Sequence, residues 1–523
     1  MVLNRKRQAR HRVKRLARDL IVAADIGTSA IKIAALDRKM NVIASTAVAH
    51  PIQFPNPLWA EQFPEDWWSA LVTGMRELSR AIPDLAQRAA TLGFAAQVCG
   101  VVAVDAAGVP LRPCLTWLDK RAGDLIRAKM AGFPSVAGFG ALKLLRSVQL
   151  TNGAPSLNGM DPTAKMMWLR QHEPDVWART AKLLDVKDWI LHRCTGAFVT
   201  TADSANLTWM ADTRSGAPVW SDELTRRYGV PREMLPEILP GDAIAGGLTQ
   251  QAAEDLGLPA GLPVIGGCGD ICAAALGSGA TEDGALHISL GTSAWIAGFF
   301  GSRRINALAS FATIASPVNN KPLLIATQEC AGACLDWYSR IGGADTPSTS
   351  VEHDPPLFLP WLAGERVPVD DNRLAGAFLG LKLVHDRGSL ARGVREGIAL
   401  NLRWAMEPVQ KQRGVRRGVT IPIVGGATQD DALAQDIANC LQMDLCRLPE
   451  PALAGLRGVA ALGGVSLGWY PSALGAVSQV LAASGKVFRA DPERAAYFDK
   501  RFDQFKRAHK RLAPWYHSLA KDI

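Results

Sequence analysis

The chain has 523 residues, 48% hydrophobic and 20% charged, which is more than one core can organise and predicts two or three globular domains. No run approaches the roughly 18 uninterrupted apolar residues of a membrane-spanning helix. The net charge of +9 is local: residues 1–18 hold eight Lys/Arg and no acid, leaving +1 for the rest and removing charge as an argument for a nucleic-acid-binding body.

The basic extension, residues 1–19, lacks the apolar core of a secretory signal. It reads as a solvated tail, with contact to nucleic acid, membrane or a partner as the rival reading. Nine cysteines form an odd number, and no His/Cys cluster completes a zinc site. Reduced thiols and a cytoplasmic protein are expected.

In chain order, residues 20–25, 30–36 and 41–49 read as three strands separated by polar breaks. A helix with an aromatic face starts near Pro64, where Pro and the acids Glu65 and Asp66 suit a helix N-terminus. A strand is predicted at 91–95, then a hairpin with arms at 101–104 and 111–115. Residues 161–196 read as mostly helical. Residues 262–280 predict a strand, a glycine turn and a buried helix, with a domain boundary near 280. A helix is expected at 388–412, then a strand running into Gly425-Gly426-Ala427, then a helix from Ala432. From about residue 490 the charged segment with Tyr497, Phe498, Phe502 and Phe505 predicts a surface-docked helix. The domains expected are 20–280, 281–485 and a helical tail at 486–523.

The tetrapeptide Gly-Thr-Ser-Ala occurs twice, at Gly27-Thr28-Ser29-Ala30 and Gly291-Thr292-Ser293-Ala294, each between two apolar runs. A strand–turn–strand with Gly and hydroxyl residues at the turn can clamp a phosphate, because Gly admits close approach and the turn N–H and O–H groups can point at an anion. Two copies suggest two related domains facing one nucleotide. Asp25 precedes the first Gly by two residues, and Ser289 holds the matching place in the second copy. Asp25 can therefore hold Mg²⁺ beside the phosphates, whereas an acid at a strand end is the plain alternative. Asp270 follows Gly266-Gly267-Cys268-Gly269 at the start of a helix. It reads either as an N-terminal cap or as a general base for a hydroxyl nucleophile. Gly425-Gly426-Ala427 leaves room for an adenine ring or a phosphate, with a simple turn as the equal alternative. Neither a Walker loop nor a Rossmann fingerprint is present.

These pieces, in this order, resemble the FGGY carbohydrate kinases of the actin/hexokinase-like ATPase superfamily. The resemblance runs over residues 20–480. It is carried by Ala24–Ser29, Glu61–Trp68, Trp117–Ala122, Gly266–Asp270, Ser289–Ser293, Leu359–Arg366 and Gly425–Ala427. The stretch from Lys165 to Gly196 looks most like the xylulokinase branch. The resemblance implies an α/β protein of two ribonuclease-H-like domains around an ATP/sugar cleft. It also implies ATP and Mg²⁺ as cofactors and a small sugar or polyol as substrate, with D-xylulose first. Another ketose, polyol or aldonate, or a non-catalytic ATP-binding regulator, is the alternative, and a homodimer is left open.

By the same resemblance, Asp25 belongs to the Mg-ATP site and Asp270 is the base. Gly27, Thr28 and Ser29, Gly291, Thr292 and Ser293, and Gly425, Gly426 and Ala427 belong to ATP. The sugar side is assigned to Gln97, Val98, Cys99, Asp270 and Ile271. Xylulokinases usually carry Met-His where this chain has Val98-Cys99, and Asn or Gln where it has Ile271. Both changes make the pocket less polar, and buried polar contacts are what discriminate strongly between substrates.

Overall fold

The computed structural model describes residues 18–306, 309–318, 321–343, 353–481 and 485–519. Most of the basic extension, and with it the expectation of a solvated tail, therefore lies outside the described residues. Among the described residues, no helix is long and apolar enough to cross a membrane. The nine cysteines are all free and eight are buried.

The most apolar strand sits at the centre of the first sheet. β1 (Leu20–Ile26) is buried along nearly its whole length. It pairs antiparallel with β2 (Ala30–Leu36), which pairs antiparallel with β3 (Val42–Ala49). β3 alternates between half-buried and exposed, as an edge strand with one wet face does. On the other side of β1 lies β4 (Ala89–Ala96), parallel to it and fully buried. β5 (Ile244–Gly247) and β6 (Pro263–Ile265) complete the order β5-β6-β4-β1-β2-β3, with the short strand Cys268–Gly269 also paired to β4.

The second sheet repeats this plan. β7 (His287–Leu290) is central, with β8 (Ala294–Phe299) antiparallel beside it. β9 (Phe311–Ile314) and β10 (Leu323–Gln328) continue that side as antiparallel strands. β11 (Ile421–Val424) and β12 (Leu445–Arg447) run parallel to β7 on the other side. Each sheet thus contains a core of three antiparallel strands followed by two parallel ones, β3-β2-β1-β4-β6 in the first and β10-β8-β7-β11-β12 in the second, which β9 extends. This is a duplicated ribonuclease-H-like core, the actin/hexokinase-type fold.

The helix after the last parallel strand of each sheet lies between the two halves. Asp270–Gly277 packs on Ala454–Ser466, and the second helix also covers β1 and β4 of the first sheet. Their side chains share one apolar cluster that includes Ile21, Ala23, Cys272, Leu276, Leu456 and Val459. The backbones touch at two glycines. A Cβ on Gly277 would lie 1.7 Å from the Ala454 carbonyl oxygen, and one on Gly458 would lie 2.0 Å from that of Ala273.

The C-terminal segment is not a surface attachment. β13 (Lys486–Phe488) pairs with β12 as the last strand of the second sheet. Helix Ala495–Leu519 buries Phe498, Phe502 and Phe505 in the second domain's core, where Phe505 packs edge-on against Trp361 with ring centroids 5.4 Å apart. The aromatics fall at helical spacing, which serves a deep core as well as a surface groove. The expected 101–104/111–115 hairpin is also looser than a ladder. Val102–Val104 pairs with Lys182–Leu184, while Cys114–Leu115 pairs with Glu61–Gln62.

Gly458→Ala should force the two interdomain helices apart, costing on the order of 1–3 kcal/mol. The expected result is a thermal midpoint lower by at least about 2 °C. An unchanged melt would mean that the crossing tolerates a side chain.

Candidate active site

The two Gly-Thr-Ser-Ala copies fold into different turns. In the first, the Gly27 N–H donates to the Ala30 carbonyl at 3.1 Å, and Asp25 lies opposite Lys32. In the second, the Gly291 N–H donates to the Ser293 carbonyl at 2.9 Å, and Ser289 lies opposite Trp295. One residue of register separates identical texts. Such a slip changes which side chains face each other across the hairpin.

Their supports differ as well. The first turn is held largely by side chains. Gln62 Nε2 donates to the Thr28 carbonyl at 2.8 Å and Trp117 Nε1 to the Thr28 hydroxyl at 3.0 Å. His50 contacts the Gly27 carbonyl through Nε2 at 3.1 Å and accepts from Gln62 through Nδ1 at 3.2 Å, a pair of contacts that fits the Nε2–H tautomer. The second turn is held by backbone. Ala331, Gly332 and Ala333, around the start of helix Gly332–Arg340, donate N–H groups to the Thr292, Gly291 and Thr292 carbonyls at 3.0, 2.9 and 3.0 Å.

Gly425-Gly426-Ala427 joins the second turn. Gly425 has φ +96°, and a Cβ there would lie 2.4 Å from the Leu290 carbonyl oxygen, so only glycine fits. A Cβ on Gly332 would meet Gly291 O at 2.5 Å and the Ala427 Cβ at 3.3 Å. Gly291 and Gly426 themselves border open space, since an added Cβ would find nothing within 4 Å at Gly426 and only Ser293 O, at 3.7 Å, at Gly291. Both glycine turns therefore meet at the carboxyl ends of parallel strands, the usual edge for ligand binding in such sheets. A cavity of about 630 Å³ lies beside the Gly425 turn, whose Gly425 N–H donates to the Pro451 carbonyl at 2.8 Å; it is lined by Gln429, Arg447, Leu448, Glu450, Pro451 and Lys486 among others.

The carboxylates gather where the first domain meets the interdomain helices. Asp25 Oδ1 is buried without a hydrogen-bond partner. Oδ2 faces Gly455 on the helix of the second domain, where a Cβ would stand 3.2 Å away. Burial raises the Asp25 pKa, and the Lys32 charge opposes that rise. Asp270 is the first residue of its helix, with Gly269 as the cap residue, and Asp270 Oδ1 accepts the Ile271 N–H at 2.8 Å. Burial, and next the Asp25 charge, push Asp270 up to about 8. The Asp25 charge is thus felt at Asp270, and both acids are half-buried. Among the described residues no three His, Cys, Asp or Glu side chains form a metal cluster.

The 97–100 loop lies against the same turn. The Gln97 N–H donates to the Ile26 carbonyl at 2.8 Å, and Gln97 Nε2 donates to Gln62 Oε1 at 2.7 Å. Gln97 Oε1 is buried without a partner. Cys99 adopts φ +65°, and its carbonyl accepts from Lys165 Nζ at 2.8 Å. Burial raises the Cys99 thiol well above its ordinary value. Val98 and Ile271 are half-buried, and Ile271 packs against the interdomain apolar cluster. His50 was missing from the sequence-based site because an isolated His after a strand carries no signal. Gln62 and Trp117 stood in recognisable segments, but nothing in those segments tied them to Thr28.

A duplicated ribonuclease-H-like core with a glycine turn in each half is an architecture that suits a nucleotide-dependent phosphotransferase. The FGGY carbohydrate-kinase N-terminal domain model matches residues 20–277, and the C-terminal domain model matches residues 286–467. The chain belongs to the FGGY family of carbohydrate kinases; it is a sugar kinase, and ATP use follows from that membership. It is 27% identical over 509 residues to the xylulose kinase of Escherichia coli (strain K12), covering 95% of this chain and 99% of that one. It is 30% identical over 443 residues to the xylulose kinase of Klebsiella pneumoniae, covering 81% and 86%. The ligand-bound xylulose kinase structure from Lactobacillus acidophilus superimposes with a TM-score of 0.83 at 23% identity, covering 96% of this chain and all of that one.

The raised acids make stability depend on pH. Asp270 titrates at about 8 when folded and at 3.8 ordinarily, and burial lifts Asp185 and Glu365 to about 7. The folded state then binds more protons than the unfolded state between these values, so stability falls as pH rises through that window. In metal- and nucleotide-free protein, the urea midpoint should be lower at pH 8 than at pH 5.5. Asp270→Asn should shrink that difference. An equal difference in both proteins would refute the Asp270 shift.

Proposed function

We propose that this kinase transfers the γ-phosphoryl group of ATP to a terminal hydroxyl of a small ketose, with D-xylulose giving D-xylulose 5-phosphate as the leading reaction. The relatives named xylulose kinase support this substrate, since the two reported above cover 95% and 81% of the chain. The observation that carries the chemistry is Asp270, held in a desolvated position at a helix start with the neighbouring Asp25 charge raising its proton affinity. A base of that strength suits a hydroxyl nucleophile near neutral pH.

In this reading, the Gly291–Ser293 and Gly425–Ala427 turns hold ATP by backbone approach. The Gly27–Ser29 turn faces the transferring phosphate. Asp270 accepts the hydroxyl proton while the oxygen attacks phosphorus in line. Mg²⁺ fits at Asp25, whose Oδ1 lacks any protein partner, and would offset charge on the phosphoryl oxygens. The turn N–H groups add fixed dipoles to the same end. Gln97 presents an unpaired amide oxygen as a polar contact for a sugar hydroxyl, and Val98, Cys99 and Ile271 supply apolar walls.

Purified protein should release ADP from ATP with at least one member of a panel of ketoses, polyols and aldonates, D-xylulose included. Asp270→Asn should lower kcat by about 10²–10⁴ while ATP affinity stays within about threefold. Near-normal turnover in this variant would remove Asp270 as the base. ATP binding without turnover on any panel member would favour a regulatory protein on the same fold.

A further inference from the structure

Asp203 is fully buried and belongs to no part of the proposed chemistry. It starts far from Asp270 in sequence, in the short helix Ala202–Leu207. Its carboxylate nevertheless grips the peptide just before the base: Asp203 Oδ2 accepts the Gly269 N–H at 2.6 Å, and Oδ1 accepts the Thr201 hydroxyl at 2.7 Å. Gly269 also has no room for a side chain, because a Cβ there would sit 2.2 Å from Val98 Cγ1 and 3.3 Å from Asp203 Oδ2. The backbone that launches the Asp270 helix is therefore wedged between the 97–100 loop and a buried carboxylate. Lys187, itself buried and paired with Asp188 at 2.7 Å, supplies positive charge near Asp203.

We infer that Asp203 is a positioning residue for catalysis, fixing the Gly269 peptide so that the Asp270 carboxylate is held in one orientation at the helix start. The inference rests on the reading of Asp270 as the base. A charge-assisted acceptor bond of this kind is stronger than a neutral one, and a displacement of about 1 Å at a reacting group can cost about 10² in rate. Asp203 touches neither reactant, so its loss should act on kcat rather than on substrate affinity.

The test is steady-state kinetics of Asp203→Ala, Asp203→Asn and Thr201→Val with ATP and the best acceptor of the panel above, with Asp270→Asn run alongside. Asp203→Ala should lower kcat by about 10–10² while the KM values for ATP and acceptor stay within about threefold. Asp203→Asn should keep kcat within about threefold, because its carbonyl oxygen still accepts from Gly269 and its amide can meet the Thr201 hydroxyl. Should Asp203→Ala fail to fold, Thr201→Val, nearly isosteric, carries the test with an expected kcat loss of about threefold or more. A loss confined to KM, an Asp203→Asn as inactive as Asp203→Ala, or wild-type kcat in the carrying variant overturns the inference. An active Asp270→Asn removes the base assignment and this inference with it. An inactive Asp270→Asn beside a fully active Asp203→Ala removes this inference alone.

Discussion

The contact between helices Asp270–Gly277 and Ala454–Ser466 is the constraint on which the site depends. One helix begins with the candidate base. The other begins against Asp25, with Gly455 leaving room for that carboxylate. Both belong to one apolar cluster that spans the domains. Glycines 277 and 458 let the two backbones meet without intervening side chains, and close packing of this kind resists small displacements. An acid at a strand end and an acid at a helix start are thereby brought to one region, where partial burial and the Asp25 charge raise the proton affinity of Asp270. The same crossing joins two sheets whose strands pair only within their own halves.

Burial makes this arrangement costly, and the chain offsets the cost locally. Asp25 has Lys32 opposite it across the hairpin, and the Lys32 ammonium also reaches the Ala452 carbonyl at 3.2 Å, just before the second interdomain helix. A single cation thus serves the acid and the domain junction. Beside the 97–100 loop, Lys165 is fully buried and directs its ammonium to the Cys99 and Met160 carbonyls, at 2.8 and 2.5 Å. Arg366 of the second domain reaches Met160 Sδ at 3.0 Å and pairs with Glu329 at 2.7 Å. Glu329 lies two residues before the backbone N–H groups that hold the second turn. Polar contacts therefore run from the 97–100 loop to Glu329, close in sequence to the segment that holds the other domain's glycine turn.

Much of the fold was legible because it is written locally. Apolar strand runs, the Pro64 helix start and the strand–glycine–helix texts at 262–280 and 421–441 need only near neighbours to form. The duplicated tetrapeptide announced two related halves for the same reason. Three features were not legible. The aromatics of the last helix have the same spacing whether they enter a core or a groove, and only the partners Trp361 and Trp404 decide. Gly277 and Gly458 look like ordinary helix glycines until the helices cross. Asp203 is one acid among many near a helix start, and its contact with Gly269 spans 66 residues of sequence.

The register difference between the two Gly-Thr-Ser-Ala turns carries the argument one step further. Identical residues cannot by themselves produce different turns, so the surroundings must. Around the first turn, carbonyls are satisfied by His50, Gln62 and Gln97, side chains whose identity matters. Around the second, they are satisfied by N–H groups at the start of a helix, which almost any sequence can supply once Gly332 permits the approach. Buried carbonyls must find donors in both cases. The first turn is therefore specified by residue type and the second by backbone path. A turn that lies two residues from the partly buried Asp25 has less freedom than one flanked by Ser289, and the chain places its specific polar side chains around the less forgiving of the two.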